Sequence, residues 1–159
     1  MSDSLHELYQ EIILDHNRHP RNFNKITPCN HQAYGHNPLC GDQVTVYLFL
    51  NPKNVIENIG FNGKGCAISI ASASLMSEKL KGKSVPEARQ LFEHFHNLVT
   101  GKTNKTDLTE EELDYLQPLT VLSGVSEFPM RVKCATMAWH TLVAAIDSPA
   151  LPTIKNQVS

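Results

Sequence analysis

Between Gln43 and Ala73 the hydrophobic pattern changes period, and that change constrains the fold more than any other feature of the chain. In QVTVYLFL, Val44, Val46, Leu48 and Leu50 alternate with Thr45, Tyr47 and Phe49, the repeat of a strand with one face buried. NPKN then supplies turn residues, and VIENIGF follows as a second strand, so the segment predicts a β-hairpin. After NGKG the alternation stops. CAISIASASLMSEKLKGK is dominated by small residues in its first turns and ends near Gly82, which suits a left-handed helix terminus. A tight hairpin is thus followed directly by a helix that starts at a glycine-rich loop.

Helices are expected on both sides of this unit. SLHELYQEIILDH opens with Ser4 and Glu7 at capping-box spacing and places Leu5, Leu8, Tyr9, Ile12 and Ile13 on one face. Pro20 ends that helix near NRHPRN, and residues 18–32 read as an irregular connection. AYGH is a candidate edge strand, although Gly35 weakens a strand at that point. Further capping boxes, Ser84 to Glu87 and Thr109 to Glu112, start VPEARQLFEHFHNLVT and TEEELDYL, with GKTNKTD as an exposed loop between them. A last long helix is expected from Pro129 to Ile146, carrying Cys134 in its first or second turn. The expected organisation is one domain over residues 1–147 and a flexible C-terminal tail over 148–159, where DSPALPTIKNQVS has two prolines and little apolar pattern.

At 159 residues and 41% hydrophobic content the chain has enough apolar surface for one core. Fourteen basic residues against sixteen acidic ones, with no Lys/Arg cluster, argue against nucleic acid as a partner. No apolar run nears the roughly 20 residues of a membrane span, and MSDSLHELYQ lacks the basic and apolar regions of a secretion signal. The reading is a cytoplasmic protein, in which thiols stay reduced and Cys29, Cys40, Cys66 and Cys134 point to metal or redox chemistry before disulfides.

Three of these cysteines stand where an element begins: Cys40 before a strand, Cys66 at a loop-to-helix junction, Cys134 early in a helix. The positive end of a helix favours thiolate at the latter two. There is no Cys-x-x-Cys pair, and three buried packing cysteines are an equally good account of the spacing. In CGD, Gly41 lets the Asp42 carboxylate turn to the side of Cys40, but an aspartate at that place is also an ordinary turn residue. If it is a ligand, three thiolates and one carboxylate suit tetrahedral zinc.

LYQEIILDHNRHPRN, NPLCGD, GKGCAISIASASLM and FPMRVKCATMAWHTL, in this order from about Leu8 to Leu142, resemble the U-type iron-sulfur cluster assembly proteins, and within them the SufU-like branch. The resemblance implies an α+β fold, a small antiparallel sheet packed on one face by several helices. It implies zinc bound by Cys40, Asp42, Cys66 and Cys134, with Cys40 accepting persulfide sulfur. The partners it implies are a cysteine desulfurase, a SufS-like pyridoxal-phosphate enzyme, and a downstream iron-sulfur scaffold. Scaffold members of the family have a histidine directly before the third cysteine, where this chain has Lys133. GKTNKTDLTEEELDYL looks like the insertion of the SufU-like branch. Both differences favour a zinc-dependent sulfurtransferase over a scaffold that holds an iron-sulfur cluster. A structural-zinc interaction module is the third reading, and a Cys-His hydrolase has no identifiable base.

Arg131 and Lys133, in the same block as Cys134, are candidates to stand beside the ligands, where an arginine would steady negative charge. Cys29 matches no block and reads as incidental. His36 is the histidine nearest the site in sequence, while His94, His96 and His140 show no ligand spacing.

Overall fold

The computed structural model describes the backbone of residues 2–148 and 157–158 and the side chains of residues 10–148. The chain runs α1 (Ser2–Arg18), β1 (His31–Asn37), β2 (Asp42–Leu50), β3 (Ile56–Lys64), α2 (Ala67–Leu80), α3 (Val85–Val99), α4 (Glu110–Leu116) and α5 (Pro129–Ile146). Short 3-10 segments lie at Lys105–Asp107 and Leu119–Glu127. The three strands form an antiparallel meander in the order β3-β2-β1, and Gln157–Val158 (β4) pairs in parallel with Tyr34 and Gly35 of β1. This is the expected α+β fold. The rest of the tail, residues 149–156 and 159, lies outside the described residues.

The period-2 pattern of β2 decides which face of the sheet is inside. Val44, Val46, Leu48 and Leu50 are buried while Thr45 and Phe49 are only half-buried. Against the inner face lie α5, packed over β1 and β2, and α2, packed over β3. The strand that the sequence disfavoured at Gly35 exists because of this packing. A Cβ at Gly35 would stand 2.0 Å from Thr141 Oγ1, so only glycine lets α5 approach the strand this closely.

The small residues of α2 have the same explanation. Its Ser69, Ser72, Ser74 and Ser77 are buried between neighbouring helices, α1 on one side and α5 on the other. Their hydroxyls serve as ties. Ser72 donates to Ala135 O at 2.6 Å and accepts from Trp139 Nε1 at 3.2 Å, while Ser74 meets His16 Nδ1 at 2.7 Å and accepts from Arg21 N at 2.9 Å. Trp139 itself is fully buried and stacks on Phe95 at 4.8 Å. Truncating such a residue typically costs about 3–5 kcal/mol, which makes it the principal anchor of α5.

Both later capping boxes form, with Ser84 and Glu87, and Thr109 and Glu112, bonding reciprocally. The first does not start its helix as expected. α1 begins at Ser2, ahead of Ser4, and the side chains of Ser4 and Glu7 lie outside the described residues. Among the described residues no helix is long and apolar enough to cross a membrane.

Candidate metal centre

Cys40 is carried by the four-residue turn, residues 38–41, that joins β1 to β2. Asn37, the last residue of β1, builds the turn. Its Oδ1 accepts from Leu39 N at 3.2 Å and its backbone oxygen accepts from Cys40 N at 3.3 Å. Asn before Pro is a legible turn signal, and Asn37 is the residue that the sequence reading passed over. The turn leaves Cys40 exposed, so the reading of three buried packing cysteines does not hold for it.

Asp42 opens β2 directly opposite Asn37 and points inward, where it is completely buried. Its Oδ1 accepts from Cys66 N at 2.9 Å, and its Oδ2 lies 4.0 Å from Cys66 Sγ. The carboxylate thereby satisfies a backbone amide at the start of α2, where Cys66 is the N-cap residue with extended backbone and no side-chain cap of its own. Asp42 turns a side chain across the site rather than onto its own turn. Gly65 makes room for it, since a Cβ there would stand 2.6 Å from Asp42 Oδ1.

Cys134 comes from α5 and is buried, with its sulfur 3.6 Å from that of Cys40. The ligand atoms of Cys40, Asp42 and Cys134 all lie within 4.8 Å of one another. Thiolates about 2.3 Å from a tetrahedral ion stand about 3.8 Å apart, so this spacing could hold a metal ion. Cys66 is at the rim of the group. It reaches the carboxylate and acts on the Cys134 thiol, but falls outside the mutually close set.

At Cys134 burial opposes the helix dipole. Burial pushes its thiol well above the ordinary cysteine range, and hydrogen bonding with Asp42, Cys66 and Cys40 acts in the same direction. Pro129 starts the helix five positions earlier, and the dipole's effect fades within the first turn. Asp42, for its part, makes no ion pair with any Lys or Arg among the described residues. A buried carboxylate beside one buried, one half-buried and one exposed thiol is a donor set that a dication would suit, because the cation would supply the missing charge and hold the sulfurs as thiolates.

The remaining candidates are placed less centrally. Arg131 is exposed and makes no ion pair among the described residues. Lys133 is exposed beside a cavity between β1 and α5 that His36 also lines. Cys29 lies before β1 and donates to His31 O at 3.2 Å, apart from the other three cysteines. His96 and His140, which sequence spacing kept apart, bring their rings to 6.0 Å around Phe92, because α3 and α5 pack side by side.

Comparison with known proteins shows the family of the chain. Residues 8–135 match the family model described as the NifU-like N terminal domain. The chain is 34% identical over 139 residues to the zinc-dependent sulfurtransferase SufU of Bacillus subtilis, covering 87% of this chain and 89% of the relative. It is 36% identical over 148 residues to the iron-sulfur cluster assembly scaffold protein IscU of Streptococcus pyogenes, covering 92% and 87%. Among solved structures, a putative iron-sulfur cluster assembly scaffold protein for the SUF system from Fervidobacterium islandicum superposes with a TM-score of 0.77 at 33% identity, over 89% of this chain and 98% of that one. With the match spanning all three strands and reaching past Cys134, the chain belongs to the family of the NifU-like N-terminal domain, whose relatives include both SufU and IscU proteins.

Proposed function

We propose that the protein is a zinc-dependent sulfurtransferase of iron-sulfur cluster assembly that takes persulfide sulfur from a cysteine desulfurase, with Cys40 as acceptor. One observation carries the reading. Cys40 is the exposed member of a group whose other close members, Asp42 and Cys134, are buried. A site meant only to hold a metal has no need to place one thiol on an exposed turn. Cys40, Asp42 and Cys134 would hold zinc, with Cys66 joining them by a small movement of its side chain toward Asp42. Bound zinc would keep the cysteines as thiolates at neutral pH.

The chemistry at Cys40 is thiol exchange. Its thiolate attacks the terminal sulfur of the persulfide on the desulfurase, a sulfur-sulfur bond forms at Cys40, and the bond to the desulfurase cysteine breaks with that cysteine leaving as thiolate. Asp42 and Cys134 stay in place because a strand and a helix hold them. Lys133 supports this reading over the scaffold one, since the sequence resemblance implies a histidine at this place in scaffold members and a lysine ammonium offers iron no lone pair. A cytoplasmic setting, which keeps thiols reduced, suits the chemistry.

The test is metal content together with mass spectrometry after incubation with a desulfurase, pyridoxal phosphate and cysteine. About one zinc per chain and a mass increase of one sulfur atom on the peptide holding Cys40 are expected. Sulfur found on Cys29 or Cys66 instead would overturn the assignment, and a bound iron-sulfur cluster without persulfide at Cys40 would establish the scaffold reading.

A further inference from the structure

The turn that carries Cys40 separates two environments of opposite character. On its inner side are the buried Asp42 carboxylate and the thiols of Cys66 and Cys134. On its other side, between β1 and α5, is a cavity of about 360 Å³. Asn37, Pro38 and Leu39 line it from the turn, and Lys133, Met137 and His140 from the helix. No Asp or Glu is among its lining residues.

Asn37 contributes an independent sign of a ligand. It is only 8% exposed, and its Oδ1 is engaged by Leu39 N, which makes Nδ2 the free end of the amide. That buried Nδ2 finds no acceptor among the described residues. A buried donor without an acceptor is destabilising unless something supplies one.

A persulfide on Cys40 carries a soft anionic terminal sulfur. Turned inward it meets one carboxylate and two thiolates, whose three negative charges outnumber the two positive charges of a bound zinc ion and leave that side net anionic. Turned toward the cavity it meets an ammonium, an amide that lacks an acceptor, and the polarizable Met137 thioether. The turn is built to allow the change. Gly41 holds a left-handed φ of +71° with nothing within 4 Å of its Cβ position, and among the described residues Cys40 is tied by its backbone amide and by the Cys134 thiol. We infer that this cavity is the resting site of the transferred sulfur, in which Lys133 and Asn37 hold the terminal sulfur of a Cys40 persulfide while Pro38, Leu39 and Met137 shield it from solvent. The inference rests on the reading of Cys40 as sulfur acceptor.

The experiment loads the metal-containing protein with sulfur from a desulfurase, removes the enzyme, and follows loss of that sulfur to excess dithiothreitol. The dithiol is oxidised to its cyclic disulfide, the sulfur leaves as hydrosulfide, and Cys40 returns to the thiol. Lys133→Met should raise the rate of loss about tenfold, the loss of one charge-assisted hydrogen bond. Lys133→Arg should keep it near the native value. Asn37→Asp preserves the acceptor for Leu39 N but replaces the free donor with negative charge, and should also raise the rate. Equal rates in all four proteins would overturn the inference, as would a Lys133→Arg variant as fast as Lys133→Met. Failure to find sulfur on Cys40 in the native protein would overturn the acceptor reading and this inference together, whereas equal rates with sulfur present overturn the inference alone.

Discussion

Cys40 and Cys134 bring their sulfurs within 3.6 Å of each other from opposite kinds of support. Cys134 is one residue of an 18-residue helix whose far side is anchored by the buried Trp139, and its thiol is buried with it. Cys40 rides on four turn residues between two strands and is exposed. A ligand on a packed helix moves only if the core moves, at a cost of several kcal/mol, while a turn can rearrange by rotating a few backbone dihedrals. Under the proposed function the same chemical group would serve as a fixed point in one place and as a moving part in the other. Asp42 belongs with the fixed part, since it is buried and bonded to the amide at the start of α2.

The largest expected effect separates the two supports under metal loss. Cys134→Ala should abolish zinc retention and lower the thermal midpoint by about 10 °C or more, given about 2–4 °C per kcal/mol for a chain of this size and a zinc contribution of several kcal/mol. Cys40→Ala should abolish sulfur acceptance yet lose much less stability, because the turn contributes little to the core. Calorimetry and metal analysis of both variants, with and without chelator, check this. Equal destabilisation by the two would erase the distinction between fixed and mobile ligands.

A smaller effect, with a change of sign, is expected at Asp42. Asp42→Asn keeps an acceptor for Cys66 N while removing a buried carboxylate that forms no ion pair with a basic side chain among the described residues. In chelated protein it should be neutral or stabilising by about 1 kcal/mol, whereas in zinc-loaded protein it should be destabilising. Denaturant melts under the two conditions read the sign directly. The same sign under both would mean that the carboxylate serves only as an acceptor for the helix. Asp42→Ala should cost about 1–3 kcal/mol even in chelated protein, because the Cys66 amide then loses its partner.

The smallest effect is expected at Cys29. Among the described residues its hydrogen bond is a thiol donating to His31 O, which serine reproduces. Cys29→Ser should change stability by less than about 0.5 kcal/mol and leave zinc content and sulfur transfer at native levels. A marked loss of transfer would make Cys29 part of the sulfur route and break the separation of this cysteine from the other three.

Much of this was legible in local sequence because local physics controls it. The alternation of Val44, Val46, Leu48 and Leu50 predicted which face of β2 is buried, and the boxes at Ser84 and Thr109 marked the starts of α3 and α4, since each depends only on residues a few positions apart. The four residues proposed as zinc ligands were also readable, through their places at element boundaries and the family blocks around them. Other features depended on partners distant in sequence. Gly35 reads as a weak strand residue until Thr141 arrives against it, and the serines of α2 read as merely small until His16, Ala135 and Trp139 take up their hydroxyls.

By itself, then, the sequence determined the β2–β3 hairpin and the helices that follow it, the side of the sheet that faces the helices, and which cysteines stand at element starts, because hydrophobic period and capping act over one or two turns of chain. Only the tertiary structure decided that Cys40 is exposed while Cys134 is buried, that Asp42 bonds across to Cys66 instead of capping its own turn, and that Asn37, which lines one cavity with Lys133, has an amide donor without an acceptor among the described residues. Burial and the direction of a hydrogen bond depend on which surfaces meet, and the meeting of β1 with α5 joins residues about a hundred positions apart.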